Sequence, residues 1–234
     1  IGRLFIVGHD ACHGSLTPSR KANRWIGRIA FLAPLHPFSG WAKSHNARHH
    51  RWTNLKDLDP GYAPFSPAEF RQLSWSRRTL ERIYRCTPGL GLYYFVEVWG
   101  RTEMFPPADQ RPANSREFFW DRLLVATFAV VQYAGLAALA HATGRPWPFL
   151  FAAGALVIPA AIFMWLMGFV TFLHHTHPDI PWFADQDEWT FFQGQVAGTT
   201  HVQFPPFIGW FFLNITEHTA HHVDAMIPMY RLRE

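Results

Sequence analysis

The chain has 234 residues, a formal net charge of +4, 49% hydrophobic and 17% aromatic residues, and a mean hydropathy of −0.06. That suits one domain with a sizeable core, polar and apolar material being segregated along the chain. Two cysteines, Cys12 and Cys86, exclude a disulfide framework and a Cys-x-x-Cys metal motif, and no repeat or low-complexity tract is present. A positive charge admits nucleic acid, an anionic membrane surface or an acidic protein as partner, and its segregation beside apolar segments favours the last two.

Residues 1–8 (IGRLFIVG) read as the last turns of an apolar helix that starts upstream, with no signal peptide, and they deliver His9 and His13 at the polar end. The i, i+4 spacing puts both imidazoles on one helical face. Asp10 either accepts a hydrogen bond from a ligand imidazole and fixes its tautomer or is a solvated helix-end charge. Cys12 reads as a packed neutral thiol before a thiolate ligand. Residues 15–23 are polar and basic, with Pro18 as a breaker. Residues 25–41 are apolar but interrupted by Pro34 and Pro37, too short for a comfortable span, and read as a buried or re-entrant segment.

HNARHHRWTN follows, with His45 and His49 again at i, i+4, and with His49 and His50 about 100° apart on a helix, as suits service to different metals. Residues 55–121 are polar and rich in Arg, Trp and Pro. Ser66-Pro67 marks a helix start, residues 77–85 a basic amphipathic helix, and residues 91–99 either a membrane-interface segment or a solvated helix packed on the domain. Residues 123–142 and 148–173 are long and uncharged enough to cross a bilayer, at ~30 Å and ~39 Å of helix. The link between them holds only Arg145, whereas nearly all other Lys and Arg lie on the other side, which orients the histidines toward the cytoplasm. Two crossings return the chain to its starting side, so histidines before and after this hairpin can share one site.

After the hairpin stand His174, His175 and His177, and near the end EHTAHHVD places His218, His221 and His222 at i, i+3 and i+4, with Asn214 one turn earlier on the same stripe. Eleven of the fourteen histidines thus fall in four groups, leaving His36, His141 and His201 isolated and structural. One such group could be metal-free, but four together point to metal. Imidazole suits iron, zinc, copper or nickel. A tetrahedral zinc needs only four ligands, so this many imply two metals, or one site and many spectators.

HDACHGS, HNARHHRWTN, HHTHPDIPWF after the hairpin and NITEHTAHHVD followed by IPMYRL together resemble the membrane fatty acid desaturase family, of the bacterial delta-12 or omega-6 type. The resemblance covers nearly the whole chain. It implies an all-α fold, an integral membrane helical bundle with a cytosolic histidine-rich helical cap, as one domain over residues 1–234 truncated at both ends. It implies a non-haem di-iron centre, O₂ as co-substrate, and removal of two hydrogens from a fatty acyl lipid to leave a cis double bond. Carried over by position, the iron ligands are His9, His13, His45, His49, His50, His218, His221 and His222. His175 is the choice for a further ligand, ahead of His177 and then His174, with Asn214 and Asp10 as supporting groups.

The first box departs from the commonest omega-6 form in ending His13-Gly14, and the second has three residues, not two, before its histidine pair, which leaves regiochemistry and head-group class open. No flavin, nicotinamide or haem fingerprint is present, so electrons come from an external donor, and the basic cytoplasmic surface suggests a small acidic one such as a ferredoxin. The expected setting is a bacterial-type inner membrane with the active site facing the cytoplasm and no nucleic-acid partner. Carotenoid ketolases or hydroxylases, acyl hydroxylases and acetylenases use similar boxes, and a non-enzymatic zinc-binding membrane protein is the rival from another class.

Overall fold

The computed structural model describes residues 1–233, and among them the regular structure is helical, with one isolated parallel bridge between Leu55 and Phe183. Helix α1 (Gly2–His13) stops immediately after its second histidine because Gly14 takes φ 78°, a left-handed conformation that Gly adopts without penalty, and its N–H closes onto the Ala11 carbonyl. Helix α2 (Arg20–Leu32), capped by the Ser19 hydroxyl on Ala22 N–H, doubles back against α1. Of the seventeen residues of the stretch expected to be buried or re-entrant (25–41), nine are buried, and the exposed ones, Trp25, Ile26 and Ile29, all lie on the outer face of α2. Trp25 and Ile29 lie 56% and 67% open to the surroundings, while the other face of α2 packs on α1 and its Arg24 and Arg28 pair with Glu117. Pro34 and Pro37 flank a turn in which Leu35 has φ 62°, and α3 (Phe38–Ser44) follows.

Helix α3 runs into a π-helical turn, His45–His49, in which His50 N–H donates to the His45 carbonyl. Short helices α4 (Pro67–Gln72, with a Ser66/Glu69 capping box) and α5 (Trp75–Tyr84) come next. Helix α6 (Leu90–Tyr93) then continues as a π-helical segment, Tyr94–Met104. Tyr93 and Tyr94 of this aromatic stretch are core residues, whereas Phe95 is exposed.

Helices α7 (Ser115–Ala142) and α8 (Pro148–His175) form a hairpin of two 28-residue apolar helices, each long enough at ~42 Å to cross a membrane, with most of their apolar surface facing outward. Val130, Val131, Phe149, Leu150 and Ile158 are all more than 60% exposed. Helix α6 lies tightly on α8, where a Cβ at Gly168 would come within 2.2 Å of the Leu90 carbonyl oxygen, so only glycine permits the approach. A π-helical turn (Phe192–Ala197), α9 (Pro206–Phe211) and α10 (His218–Val223) complete the order.

The main core packs Phe5, Phe31, Phe38, Trp41, Tyr94, Phe163 and Met229, joining α1, α2, α3, the π-helical segment after α6, α8 and the C-terminal segment. It fixes the polar end of α1 against the end of α3. The pairing of Lys56 N–H with the Phe183 carbonyl, and of Phe183 N–H with the Asn54 carbonyl, ties the loop after the second histidine box to the loop after α8.

Candidate metal centre

Histidines from four places in the chain converge at one end of the helices. His9 and His13 come from the end of α1, His45, His49 and His50 from the end of α3, His175 from the last residue of α8, and His218, His221 and His222 from α10. They sort into two groups, each with ring nitrogens lying within 4.8 Å of one another. One comprises His9, His13, His45, His50 and His221, and the other His49, His175, His218 and His222.

The sorting follows local winding. On an α-helix His45 and His49 would share a face, as their spacing suggests, but the π-helical turn instead brings His45 and His50 into register, with Nε2 atoms 3.0 Å apart, and turns His49 into the other group. The three-residue spacing of this box, one longer than in His218-x-x-His221-His222, is absorbed by that wider turn, the kind of local π winding that recurs at functional sites. In α10, His218 and His222 face the second group while His221 reaches the first. His49 and His50, adjacent in sequence, also fall in different groups.

Hydrogen bonds fix several tautomers. His9 Nδ1–H donates to Asp10 Oδ1 (3.0 Å), His49 Nδ1–H to Asp59 Oδ1 (2.9 Å), His222 Nδ1–H to Gln195 Oε1 (2.7 Å) and His175 Nδ1–H toward the Gly198 carbonyl (3.3 Å). In a neutral ring each such bond leaves the lone pair on Nε2. The Nε2 atoms of His175 and His222 then lie 2.8 and 3.0 Å from His218 Nε2, and His50 Nε2 lies 3.0 and 3.1 Å from those of His45 and His221.

One imidazole proton cannot serve two lone pairs at once, and His13 Nε2, His218 Nδ1 and His221 Nδ1 are buried with no hydrogen-bond partner. Protonation is no remedy. Burial, reinforced by neighbouring imidazoles, holds His13, His45, His50, His218, His221 and His222 well below the usual histidine range. Neutral imidazoles with converging lone pairs in a desolvated site are a donor set that a divalent cation satisfies. The residues present therefore fit two metal ions.

The remaining expected residues lie elsewhere. His174 is buried and stacks on His218 at 4.1 Å between ring centroids, with both ring nitrogens unpartnered, outside either group. His177 is exposed and accepts from Asp179 N–H. Asn214 does not share a helical stripe with the last box, because α10 begins only at His218. Asn214 sits in the preceding turn at φ 59°, its amide donating to the Tyr230 carbonyl (3.4 Å). Asp10 touches His9 as described, and its other oxygen accepts from Met229 N–H (3.0 Å), pinning the C-terminal segment under α1. Cys12 is a half-buried thiol whose ionisation burial suppresses.

Asp59 and Gln195 escaped the sequence reading. Asp59, 5% exposed, also accepts from the N–H groups of Asn54 and Gly61, and Gln195, 1% exposed, also contacts the Thr53 hydroxyl and the His50 carbonyl. Neither lies within a histidine box, and no periodicity marks them.

Beside both groups runs a slot lined by Phe5, Trp41, Tyr62, Tyr94, Met167 and Val170, with His9, His45, His49, His175 and His218 facing it. Behind the lining residues Tyr94 and Glu103 lies a buried polar group. His36 Nδ1–H donates to the Pro34 carbonyl (2.7 Å), its Nε2 accepts from Tyr94 O–H (3.1 Å), and the buried Glu103 carboxyl is 3.5 Å away. Burial lowers His36 to about 3 and raises Glu103 well above the carboxylate range.

The sequence profile of the fatty acid desaturase family matches residues 1–234. An sn-1 acyl-lipid omega-3 desaturase (ferredoxin) from Synechocystis is 33% identical over 98% of this chain and 61% of its own length. An sn-1 oleoyl-lipid 12-desaturase from Picosynechococcus is 28% identical over 99% of the chain and 63% of that protein, and a chloroplastic omega-6 fatty acid desaturase from Brassica napus is 28% identical over 98% and 49%. The chain therefore spans about three-fifths or less of the length of these relatives. With the profile matched from end to end and each histidine box inside the matched region, the chain belongs to the fatty acid desaturase family.

Proposed function

We propose that this protein is an acyl-lipid desaturase that introduces a cis double bond into a fatty acyl chain at two irons held by the nine converging imidazoles. The observation that supports this reading best is the opening of both imidazole groups onto one apolar slot. The balanced reaction is R–CH₂–CH₂–R′ + O₂ + 2 e⁻ + 2 H⁺ → R–CH=CH–R′ + 2 H₂O, two electrons coming from the acyl chain and two from an external donor, a ferredoxin as in the cyanobacterial omega-3 desaturases it resembles.

His9, His13, His45, His50 and His221 would hold one iron and His49, His175, His218 and His222 the other. Bound there, the metals would supply the activation of dioxygen that no side chain can provide. The protein's part is geometric. Asp10, Asp59 and Gln195 hold ligand rings in one tautomer and orientation, and the aromatic walls exclude water and align a methylene pair beside the imidazoles. The outward apolar surface of α7 and α8 favours a membrane hairpin, with the histidine-bearing end as a cap on the basic, cytoplasmic side of an inner membrane.

Expression in a bacterium whose lipids contain monounsaturated but no polyunsaturated chains tests the reading. New cis-unsaturated acyl chains, by gas chromatography of methyl esters, and about two irons per chain are expected. Hydroxy acids or keto-carotenoids alone, or stoichiometric zinc without iron, would overturn it.

A further inference from the structure

Apart from its imidazoles, the slot wall carries an acid that the protein leaves without a partner. The hydroxyls of the wall are engaged inside the fold: Tyr62 donates to the Leu90 carbonyl (3.0 Å), Thr171 to the Met167 carbonyl (2.8 Å) and Tyr94 to His36 (3.1 Å), while Ser44 pairs with Thr102 (3.3 Å). Glu103 lines the same slot and is 1% exposed, and among the described residues its Oε2 has no hydrogen-bond partner. His36 Nε2 lies 3.5 Å from it but already accepts from Tyr94.

Local winding turns that acid inward. Tyr94, Val98 and Glu103 all belong to the segment Tyr94–Met104, and all three line the slot. On an α-helix Glu103 would stand about 180° round from Tyr94, on the side away from the slot. The wider π-helical turn returns it to the Tyr94 face, the same device that divides His45 from His49. The backbone there is held tightly: a Cβ at Gly40 would come within 2.5 Å of the Glu103 carbonyl oxygen, so α3 packs directly on it. Burial keeps the carboxyl neutral, well above the usual carboxylate range. The fold thus sets a fixed O–H donor into an apolar wall, which costs stability unless a bound molecule supplies the acceptor. Methylenes accept nothing, whereas the π electrons of a carbon–carbon double bond accept a weak hydrogen bond. A hydroxyl on the chain would also accept, but its own proton would then lack an acceptor, the wall's oxygens being engaged. An ester carbonyl would have to leave the lipid's polar head for the buried interior.

We infer that Glu103 is a specificity-determining residue whose acid O–H donates to the π face of a cis double bond already present in the acyl chain. The slot then takes unsaturated chains ahead of saturated ones, and the new double bond forms at a fixed distance along the chain from the old one. The inference rests on the desaturase reading and adds to it a substrate-reading residue and an origin for the register. Glu103 neither gains nor loses a proton in this role, so the balance of the reaction is unchanged.

The test uses the full chain in nanodiscs, lipids with stearoyl, oleoyl or cis-vaccenoyl chains, and the variants Glu103→Gln, which keeps a donor, and Glu103→Met, which keeps the length without one. Infrared difference spectra read the contact without turnover. The protonated carboxyl band of the parent should move to lower wavenumber with oleoyl lipid and not with stearoyl lipid, and it should be absent from both variants. In turnover of the iron-loaded parent, kcat/KM should favour oleoyl over stearoyl chains by about fivefold or more. Glu103→Met should lose that preference through a fall on the oleoyl chain alone, and Glu103→Gln should keep part of it. With cis-vaccenoyl lipid the new bond should move by as many carbons as the old one has moved, and in Glu103→Met its position should scatter. A carboxyl band that responds alike to stearoyl and oleoyl lipid would overturn the inference, as would an unchanged preference in Glu103→Met. Should Glu103→Met fail to fold, the parent's band and Glu103→Gln decide the matter. A parent that forms no unsaturated product from any chain would sink the desaturase reading instead, and the infrared band of the iron-free chain would still show whether Glu103 meets the double bond.

Discussion

The two imidazole groups are made of the same residue type, yet they are built differently. The first gathers five rings, three of them half buried, and only His9 is held by a carboxylate. The second gathers four, three of them buried, and His49, His222 and His175 are each held from behind, by Asp59, Gln195 and the Gly198 carbonyl. Ligand number and outer hydrogen bonding trade against each other: where more rings converge fewer are braced, and where fewer converge nearly all are. The open group suits exchange with the aqueous side, and the closed one suits a dry, fixed geometry beside the slot.

The strongest way to break this comparison is to delete adjacent ligands that serve different groups. His221→Ala should empty the first site and His222→Ala the second, each lowering bound iron from about two to about one per chain and activity by at least about 100-fold. Metal analysis with spectroscopy of the remaining ion checks it. Loss of both ions from either variant, or of neither, would mean that the groups are not separate sites.

That His221 and His222 part company was not legible in the sequence. The clustering of histidines was, because i, i+4 pairs at helix ends have a local signature, and so was the apolar hairpin, because 28 residues of helix record their environment in composition. The division of His45 from His49 depends on a π-helical turn that the extra residue between them makes possible, which an α-helical reading of the spacing hides. Asn214 was misplaced for a related reason: the stripe assumed a helix extending back past Glu217, whereas the chain turns through left-handed conformations at Leu213 and Asn214. Asp59 and Gln195 act across 10 and 27 residues of sequence on irregular or π-helical backbone, where no period exists to read.

A smaller effect sharpens the difference in bracing. Asp59→Asn keeps the shape but removes the carboxylate that holds His49, and it should weaken metal binding at the second site by roughly 10- to 100-fold. Asp10→Asn should weaken the first site less, since four other rings remain there. Competition with a chelator, followed site by site, measures both. A larger loss from Asp10→Asn would show that bracing matters more where ligands are plentiful, the reverse of the trade described above.

The smallest expected effect lies outside both groups and serves as their control. His36 is buried and neutral, bonded through Nδ1–H to Pro34 and through Nε2 to Tyr94, and touches none of the nine rings. Its folded-state value, about 3, lies below the ordinary 6.5, so the unfolded chain binds a proton that the folded chain refuses. Its contribution is present above pH 6.5 and is lost as pH falls toward 3, with a slope approaching about 1.4 kcal/mol per pH unit within that window. Glu103, raised instead, acts in the opposite sense: its neutral form favours the folded state at low pH, and that advantage fades as pH rises above 4.5. His36→Gln keeps a hydrogen-bonding side chain without the titration. Its melting temperature should therefore fall less than the parent's between pH 7.5 and 5.5, with iron content unchanged at pH 7.5. An equal fall in both would show that His36 is not held neutral by its surroundings, and a loss of iron would mean that the layer behind the slot and the metal groups are one coupled unit.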